Sequence, residues 1–304
     1  MSRPENRRDN LLGIAFGLAS VVLFSGQSLV VKFLGDRYPM NEVVFFRHAF
    51  ALVPAYVMLA QQGGLATLRT DRFPMHLARM AAGMSSMILG FYALRLIPLA
   101  DTVVYGFVSP LLVTALSVPV LGERVGIHRW SAVLFCFLGV VIMMQPGGTP
   151  VEWGVIVALA GAFCGSFVNL TMRRLGATET AASTVCFYTG MCTIVFAATL
   201  PFSWVTPDPV DLAILISLGL GGGIAQYWYT KSLWYAPSAL IAPLGYTSLI
   251  WMTAAGFLFW NEVPTGATLI GAAIICGSGL YIRGFNSLVH RDLGASEGVE
   301  NLLR

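Results

Sequence analysis

The sequence predicts an all-α membrane protein of ten transmembrane helices, arranged as two inverted five-helix repeats. Three observations lead there. Of 304 residues, 56% are hydrophobic and only 11% are charged, against about 25% charged in ordinary soluble domains. A soluble chain of this length must cover its surface with polar groups, so lipid is the main solvent. Apolar stretches of about 20 residues, long enough to cross a hydrocarbon core, recur along the whole chain, and its two halves echo one another. The strand alternation of an outer-membrane barrel is absent, which leaves helices as the fold that satisfies the backbone in lipid.

The expected spans are residues 11–34, 42–61, 75–97, 101–121, 129–146, 152–173, 182–203, 211–234, 237–259 and 264–283. The first is too long for a signal-peptide core and lacks a cleavage site, so it is expected to remain as a span. Residues 1–10 and 285–304 read as cytoplasmic tails around two five-helix units, 11–147 and 148–284. Arg and Lys set the orientation. With the N-terminus inside, fourteen of them, Arg79 and Lys231 included, fall on the cytoplasmic side, and only Lys32, Arg37, Arg47 and Arg95 fall outside. The positive-inside rule therefore places both termini in the cytoplasm of a cell whose inner membrane holds the protein.

The repeat is read by sliding the chain on itself. A shift of 141 matches Gly13 to Gly154, Ser25 to Ser166 and Gly35 to Gly176, with Lys32 opposite Arg173. A shift of 139 matches Pro98 to Pro237, Gly106 to Gly245, Ser109 to Ser248 and Glu123 to Glu262. An odd number of spans per copy inverts the second copy in the membrane, a recurrent plan for transporters that alternate between two open shapes.

Two segments carry a family resemblance. "ALRLIPLADTVVYGFVSPLLVTALSVPVLGERV" (93–125) and its echo "KSLWYAPSALIAPLGYTSLIWMTAAGFLFWNEV" (231–263) resemble the signature of the drug/metabolite transporter superfamily, EamA type. The arginine in "FFRHAF" (45–50) is similar to one this family usually carries in its second span. In the second half Trp-Asn-Glu (260–262) stands where the family more often has Gly-Glu. The resemblance covers residues 11–283. It implies ten spans, a central cavity between the halves, and secondary transport of a small-molecule substrate without ATP, with export or exchange as the direction. Relatives move amino acids, nucleotide sugars, vitamins, organic acids or cations, so the resemblance names no single substrate.

Candidate functional residues follow from the cost of polarity in lipid. A central Arg or Lys costs roughly 2.5–3.5 kcal/mol on insertion scales. Arg47 lies well inside its span, while Lys32, Arg95 and Asp101 lie near helix ends. Together with Glu42 they would form a charged belt on the outer side: an anion-attracting vestibule, a gate of exchangeable salt bridges, or side chains that snorkel to the headgroups beside a static ion pair. Lys231 is the inner-side analogue. Glu123 and Glu262 end corresponding helices and are candidates for proton coupling, the alternative being local ion pairs. Uncharged groups orient a ligand at a smaller desolvation cost, so Gln27, Ser28, Asn169 and Gln226 are candidate substrate contacts, with interhelical hydrogen bonding as the alternative. Tyr105, Tyr246 and Trp251 lie deep enough to stack on a planar or cationic ligand, or simply to pack.

Gly13 with Gly17, Gly161 with Gly165, and the run from Gly221 to Gly223 would let helices approach closely. Pro110 and Pro243 are expected flex points in the fourth and ninth spans. The five cysteines lie in apolar segments without metal spacing, and read as free thiols. Neither a metal nor a cofactor is expected. The four histidines (48, 76, 128, 290) form no His-Glu-x-x-His pair, and no Gly-x-x-x-x-Gly-Lys sequence exists for an intrinsic ATPase. "CGSG" (276–279) has no histidine in the later spans to activate its serine, which weighs against an intramembrane enzyme. A channel-like facilitator is the other alternative. The partners expected are the bilayer, a small molecule and either a proton or a counter-substrate, with no nucleic acid.

Overall fold

A computed structural model describes residues 7–121, 127–144, 152–175, 178–236, 238–278 and 280–281. Helix occupies all ten segments marked by hydropathy, and the described residues contain no strand. In chain order the helices are α1 (Arg7–Leu34), α2 (Met40–Ala49), α3 (Leu52–Gln61), α4 (Phe73–Leu96), α5 (Leu99–Gly106), α6 (Ser109–Leu121), α7 (Ile127–Met144), α8 (Trp153–Leu175), α9 (Ala181–Thr199), α10 (Pro209–Tyr235), α11 (Ser238–Ile241), α12 (Ser248–Trp260) and α13 (Gly266–Ser278). Among the described residues, seven helices or helix pairs are long and apolar enough to cross a membrane. Glu123 lies outside the described residues.

Three segments are interrupted, each for a local reason. Between α2 and α3 the chain turns at Phe50 and Ala51, because Pro54 has no N–H for the Phe50 carbonyl. Between α5 and α6 the bonds tighten, with Phe107 N–H donating to Val103 and Val104 at 3.1 Å and Val108 N–H to Tyr105 at 3.1 Å. Between α11 and α12 the chain runs as a 3₁₀ turn, Ala242–Thr247, that contains Pro243. The last two breaks fall at Gly106 and Gly245, the pair the internal repeat aligns, and they touch: Phe107 and Tyr246 pack edge to face at 4.9 Å. Mid-span 3₁₀ turns of this kind often accompany hinges or local strain. Pro110 is not itself a kink. It sits at the second position of α6, where a missing N–H leaves no bond unmade.

Packing follows small residues. The two most extensive helix pairs are α1 with α10 and α4 with α8. A Cβ on Gly13 would lie 2.5 Å from Ala236 Cβ and 3.0 Å from its nitrogen, and one on Gly161 would lie 3.3 Å from Gly90 N. Ser86 Oγ donates to Gly161 O at 2.9 Å, joining α4 to α8. Apolar cores fill the spaces between: Val104, Val108, Val157 and Ala158 in one, Val31, Leu34, Leu215 and Met252 in another.

Candidate functional site

The α2–α3 turn brings the end of α2 against α10, and a glycine stripe on α10 admits it. A Cβ on Gly219 would meet Phe46 O at 2.5 Å, and one on Gly223 would meet Ala51 Cα at 3.0 Å. At Gly222 the space is filled by Arg47, whose Cζ would stand 2.5 Å from such a Cβ. Gln27 lies against the same glycine and donates Nε2–H to Leu218 O at 2.8 Å. Thus α10 presents bare backbone where Arg47 and Gln27 need to lie.

Arg47 faces a narrow cavity of about 50 Å³ shared with Arg79, Tyr188, Thr189 and Gln226. Arg79 is 8% exposed. Its guanidinium lies 4.1 Å from the centre of the Tyr188 ring, a cation–π contact, and its Nη2 is 3.9 Å from Met172 Sδ. Gly83, one turn along α4, makes room for that ring: a Cβ there would be 2.7 Å from Tyr188 Cε2. His48 also packs edge to face with Tyr188, ring centres 5.0 Å apart. Among the described residues no carboxylate lies within ion-pair distance of Arg47 or Arg79. Nε and Nη1 of Arg79 have no hydrogen-bond partner.

A second, mostly apolar cavity of about 390 Å³ lies between α1, α5, α10 and α12. It is lined by Ser20, Phe24, Ser25, Ser28, Gln226, Tyr229 and Met252 among others. Gln226 borders both cavities.

The belt of charges is resolved into separate pairs. Lys32 forms an ion pair with Glu262 and also donates to Ile97 O at 3.2 Å, with its ammonium 5.6 Å from the Trp260 ring centre. Glu262 also accepts from Leu99 N–H at 2.9 Å. Asn261 positions it. With φ at 56°, Asn261 closes α12 in the left-handed conformation that Asn and Gly tolerate, and Glu262 N–H donates back to Gly256 O at 3.0 Å. Arg95 pairs with Asp36 at 3.1 Å and donates to Tyr38 O. Both border a vestibule of about 570 Å³. Arg37 pairs with Asp211 at 3.2 Å, and Asp211 accepts from Tyr38 Oη–H at 2.8 Å. Buried Glu42 accepts from Val205 N–H at 3.0 Å. Asp101 carries a buried Oδ1 without a hydrogen-bond partner. Arg47 leaves the expected belt and turns into the arginine cavity.

The other candidates scatter. Tyr105 is 2% exposed and packs into the core against α8. Tyr246 rests on Phe107. Trp251 is 45% exposed on α12, and Asn169, exposed on α8, donates to its own helix at Gly165 O, 3.0 Å. Trp251 and Asn169 border neither of the two cavities. Lys231 lies over the Tyr227 ring at 4.9 Å. Arg79, His48 and Tyr188 were missed from the sequence. Arg79 counted there only as a cytoplasmic charge, whereas the structure buries it on α4 against Tyr188. Its place inside an expected span was the available signal.

Described residues that are all helix and turn, with long apolar spans interrupted at paired points, are those of a multi-pass integral membrane protein. The EamA-like transporter family model matches it twice, at residues 11–145 and 152–283, and the chain belongs to that family of membrane transporters rather than to any class of enzyme. It is 27% identical to an S-adenosylmethionine uptake transporter of Rickettsia prowazekii, over 90% of this chain and 92% of that one. It is 26% identical to a pseudopaline exporter of Pseudomonas aeruginosa (86% and 93% covered) and 29% identical to a riboflavin transporter of Rhizobium johnstonii (90% and 88%). One solved crystal structure shares the fold, with a TM-score of 0.64 at 20% identity over 88% of this chain and 96% of that chain.

Proposed function

We propose that this protein is a secondary active transporter of a small metabolite, an amino acid or organic anion, working as an exporter or exchanger by alternating access. Ten spans form two inverted repeats, residues 11–147 and 148–284, in a bacterial cytoplasmic membrane, with both termini in the cytoplasm. One observation carries this above the rest: both cavities are walled by both halves. Arg47 and Arg79 come from the first matched segment, and Tyr188 and Gln226 from the second. Rocking of one half against the other necessarily remodels such a site.

The exchange of α1 onto α10 and of α8 onto α4 supports the two-fold plan, and the contact of Phe107 with Tyr246 supplies a pivot between the two interrupted helices. Substrate contacts are assigned to Gln27, Ser28, Arg47 and Gln226. Lys32 with Glu262 joins the two halves on the side that the charge distribution marks as outer, and this pair is assigned to closure there. Glu262 serves this closure, and Glu123 is the remaining candidate for proton coupling. Relatives named for uptake and for export both match, so direction rests on the family resemblance.

Counterflow in proteoliposomes tests the proposal, with labelled amino acids and organic acids, with and without a pH gradient. Saturable exchange that Arg47→Ala abolishes is the expected result. Flux that does not depend on counter-substrate would replace the carrier with a channel-like facilitator.

A further inference from the structure

We infer that Arg79 and Arg47 together hold a carboxylate of the substrate, and that the substrate's apolar body lies past Gln226 in the serine-lined cavity. The assignment rests on the carrier function proposed above and names its substrate class: organic acids with a single carboxylate and an apolar body.

Charge comes first. Two guanidiniums face one cavity, and among the described residues no carboxylate pairs with either. Arg37 and Arg95, in contrast, are neutralised by Asp211 and Asp36. A buried cation without a counter-charge is costly, because desolvation is repaid only by a partner. The Tyr188 ring takes one face of Arg79, yet leaves Nε and Nη1, both in the guanidinium plane, without acceptors. Tyr188 and His48 bring no negative charge, and the Glu179 carboxylate lies 3.9 Å from His76 Nε2, outside ion-pair distance of both arginines. The missing component is an anion.

Size and shape then choose the anion. About 50 Å³ holds a small planar group and not a whole metabolite. A carboxylate presents two oxygens in the geometry of a guanidinium fork. The remainder of the ligand needs another space, and Gln226 borders one of about 390 Å³. Its walls are mostly apolar, with Phe24, Val21, Met252 and Tyr229 set among serines. Ser28 Oγ–H donates to Phe24 O at 3.3 Å, Ser20 Oγ–H to Gly17 O at 2.7 Å and Ser248 Oγ–H to Gly245 O at 2.7 Å, so three of the four serine hydroxyls there already donate to backbone carbonyls, and among the described residues no basic side chain lines the space. One carboxylate at one end and an apolar body at the other is the ligand that fills both spaces.

Matched acid and amide pairs test this by binding, without requiring flux. Purified protein in lipid nanodiscs at neutral pH is titrated with acetate and acetamide, benzoate and benzamide, and 3-phenylpropanoate and 3-phenylpropanamide, followed by tryptophan fluorescence and thermal unfolding. Each acid is expected to bind at least tenfold more tightly than its amide, and 3-phenylpropanoate more tightly than acetate. Arg79→Gln should erase the acid preference, Arg79→Lys should retain part of it, and Arg47→Gln is a second route to the same loss if Arg79→Gln does not fold. Acids binding no better than their amides to the native protein would overturn the assignment. So would an acid preference that survives Arg79→Gln with a native unfolding profile. Acid-selective binding without counterflow would sink carriage and keep the site, whereas counterflow of neutral or cationic solutes unaffected by Arg79→Gln would do the reverse.

Discussion

Replacing Gly222 with alanine adds one methyl group at the point where Arg47 crosses α10. That carbon would stand 2.5 Å from Arg47 Cζ and 2.7 Å from Nε, and would also strike Gln27 Nε2. Carbon contacts are comfortable at about 3.5–4.0 Å, so the guanidinium must retreat by about 1 Å and the Gln27–Leu218 bond must break. Overpacking of this size costs about 1–3 kcal/mol, against which the better helix propensity of alanine returns up to about 1 kcal/mol. Gly221 is the internal control, since a Cβ there meets nothing within 4 Å and gains the propensity alone. Gly221→Ala and Gly222→Ala should therefore differ by about 1–3 kcal/mol, or roughly 2–12 °C in unfolding temperature at 2–4 °C per kcal/mol. In counterflow, Gly221→Ala should keep native exchange and Gly222→Ala should lose at least tenfold in apparent affinity, because Arg47 no longer reaches its cavity. Equal stability and equal transport for the two variants would refute the role given to the α10 glycines.

Other outcomes follow from the same contacts. Glu262→Gln and Lys32→Met should each destabilise by about 1–3 kcal/mol, the usual figure for a broken buried pair reduced for partial exposure, and the double variant should lose less than their sum in a double-mutant cycle. Additive losses would show that the pair does not close the outer side. Tyr38→Phe removes one bond to Asp211 and should cost about 1 kcal/mol in thermal unfolding, with transport retained. Gly13→Val drives a side chain into the backbone of α10 and should cut folded yield sharply on size exclusion, whereas Gly26→Ala, with nothing within 4 Å of its Cβ, should not. Trp251→Leu should leave exchange kinetics unchanged, and a loss of substrate affinity would bring Trp251 back into the site.

Hydropathy located the helices to within a few residues because lipid demands long apolar runs, and of the two expected flex points Pro243 lies in a break whereas Pro110 lies just past one. Facing was not legible. In α12 the surfaces toward lipid and toward the core are equally apolar, so Trp251 and Met252 differ in environment without differing in the pattern around them. Arg47 stood out as a charge deep in a span. Arg79, six residues inside α4, looked like one of the basic residues that cluster at cytoplasmic ends. Only the folded chain, with Gly83 admitting the Tyr188 ring beside it, shows the cation turned inward. Asn261 was a departure from the family pattern in sequence, and its left-handed conformation shows that it performs the turn a glycine would.

The crossed docking of the first helices has a consequence for biosynthesis. When the ribosome has released α1, the partner that covers its glycine face, α10, has not yet been made, and α1 must wait in the bilayer through most of translation. The later helix α8, in contrast, emerges to find α4 already inserted. A chain stopped after residue 145 would strand α1 and α4 without their main neighbours. Two such fragments synthesised separately could shelter those faces only by finding each other, as two subunits would.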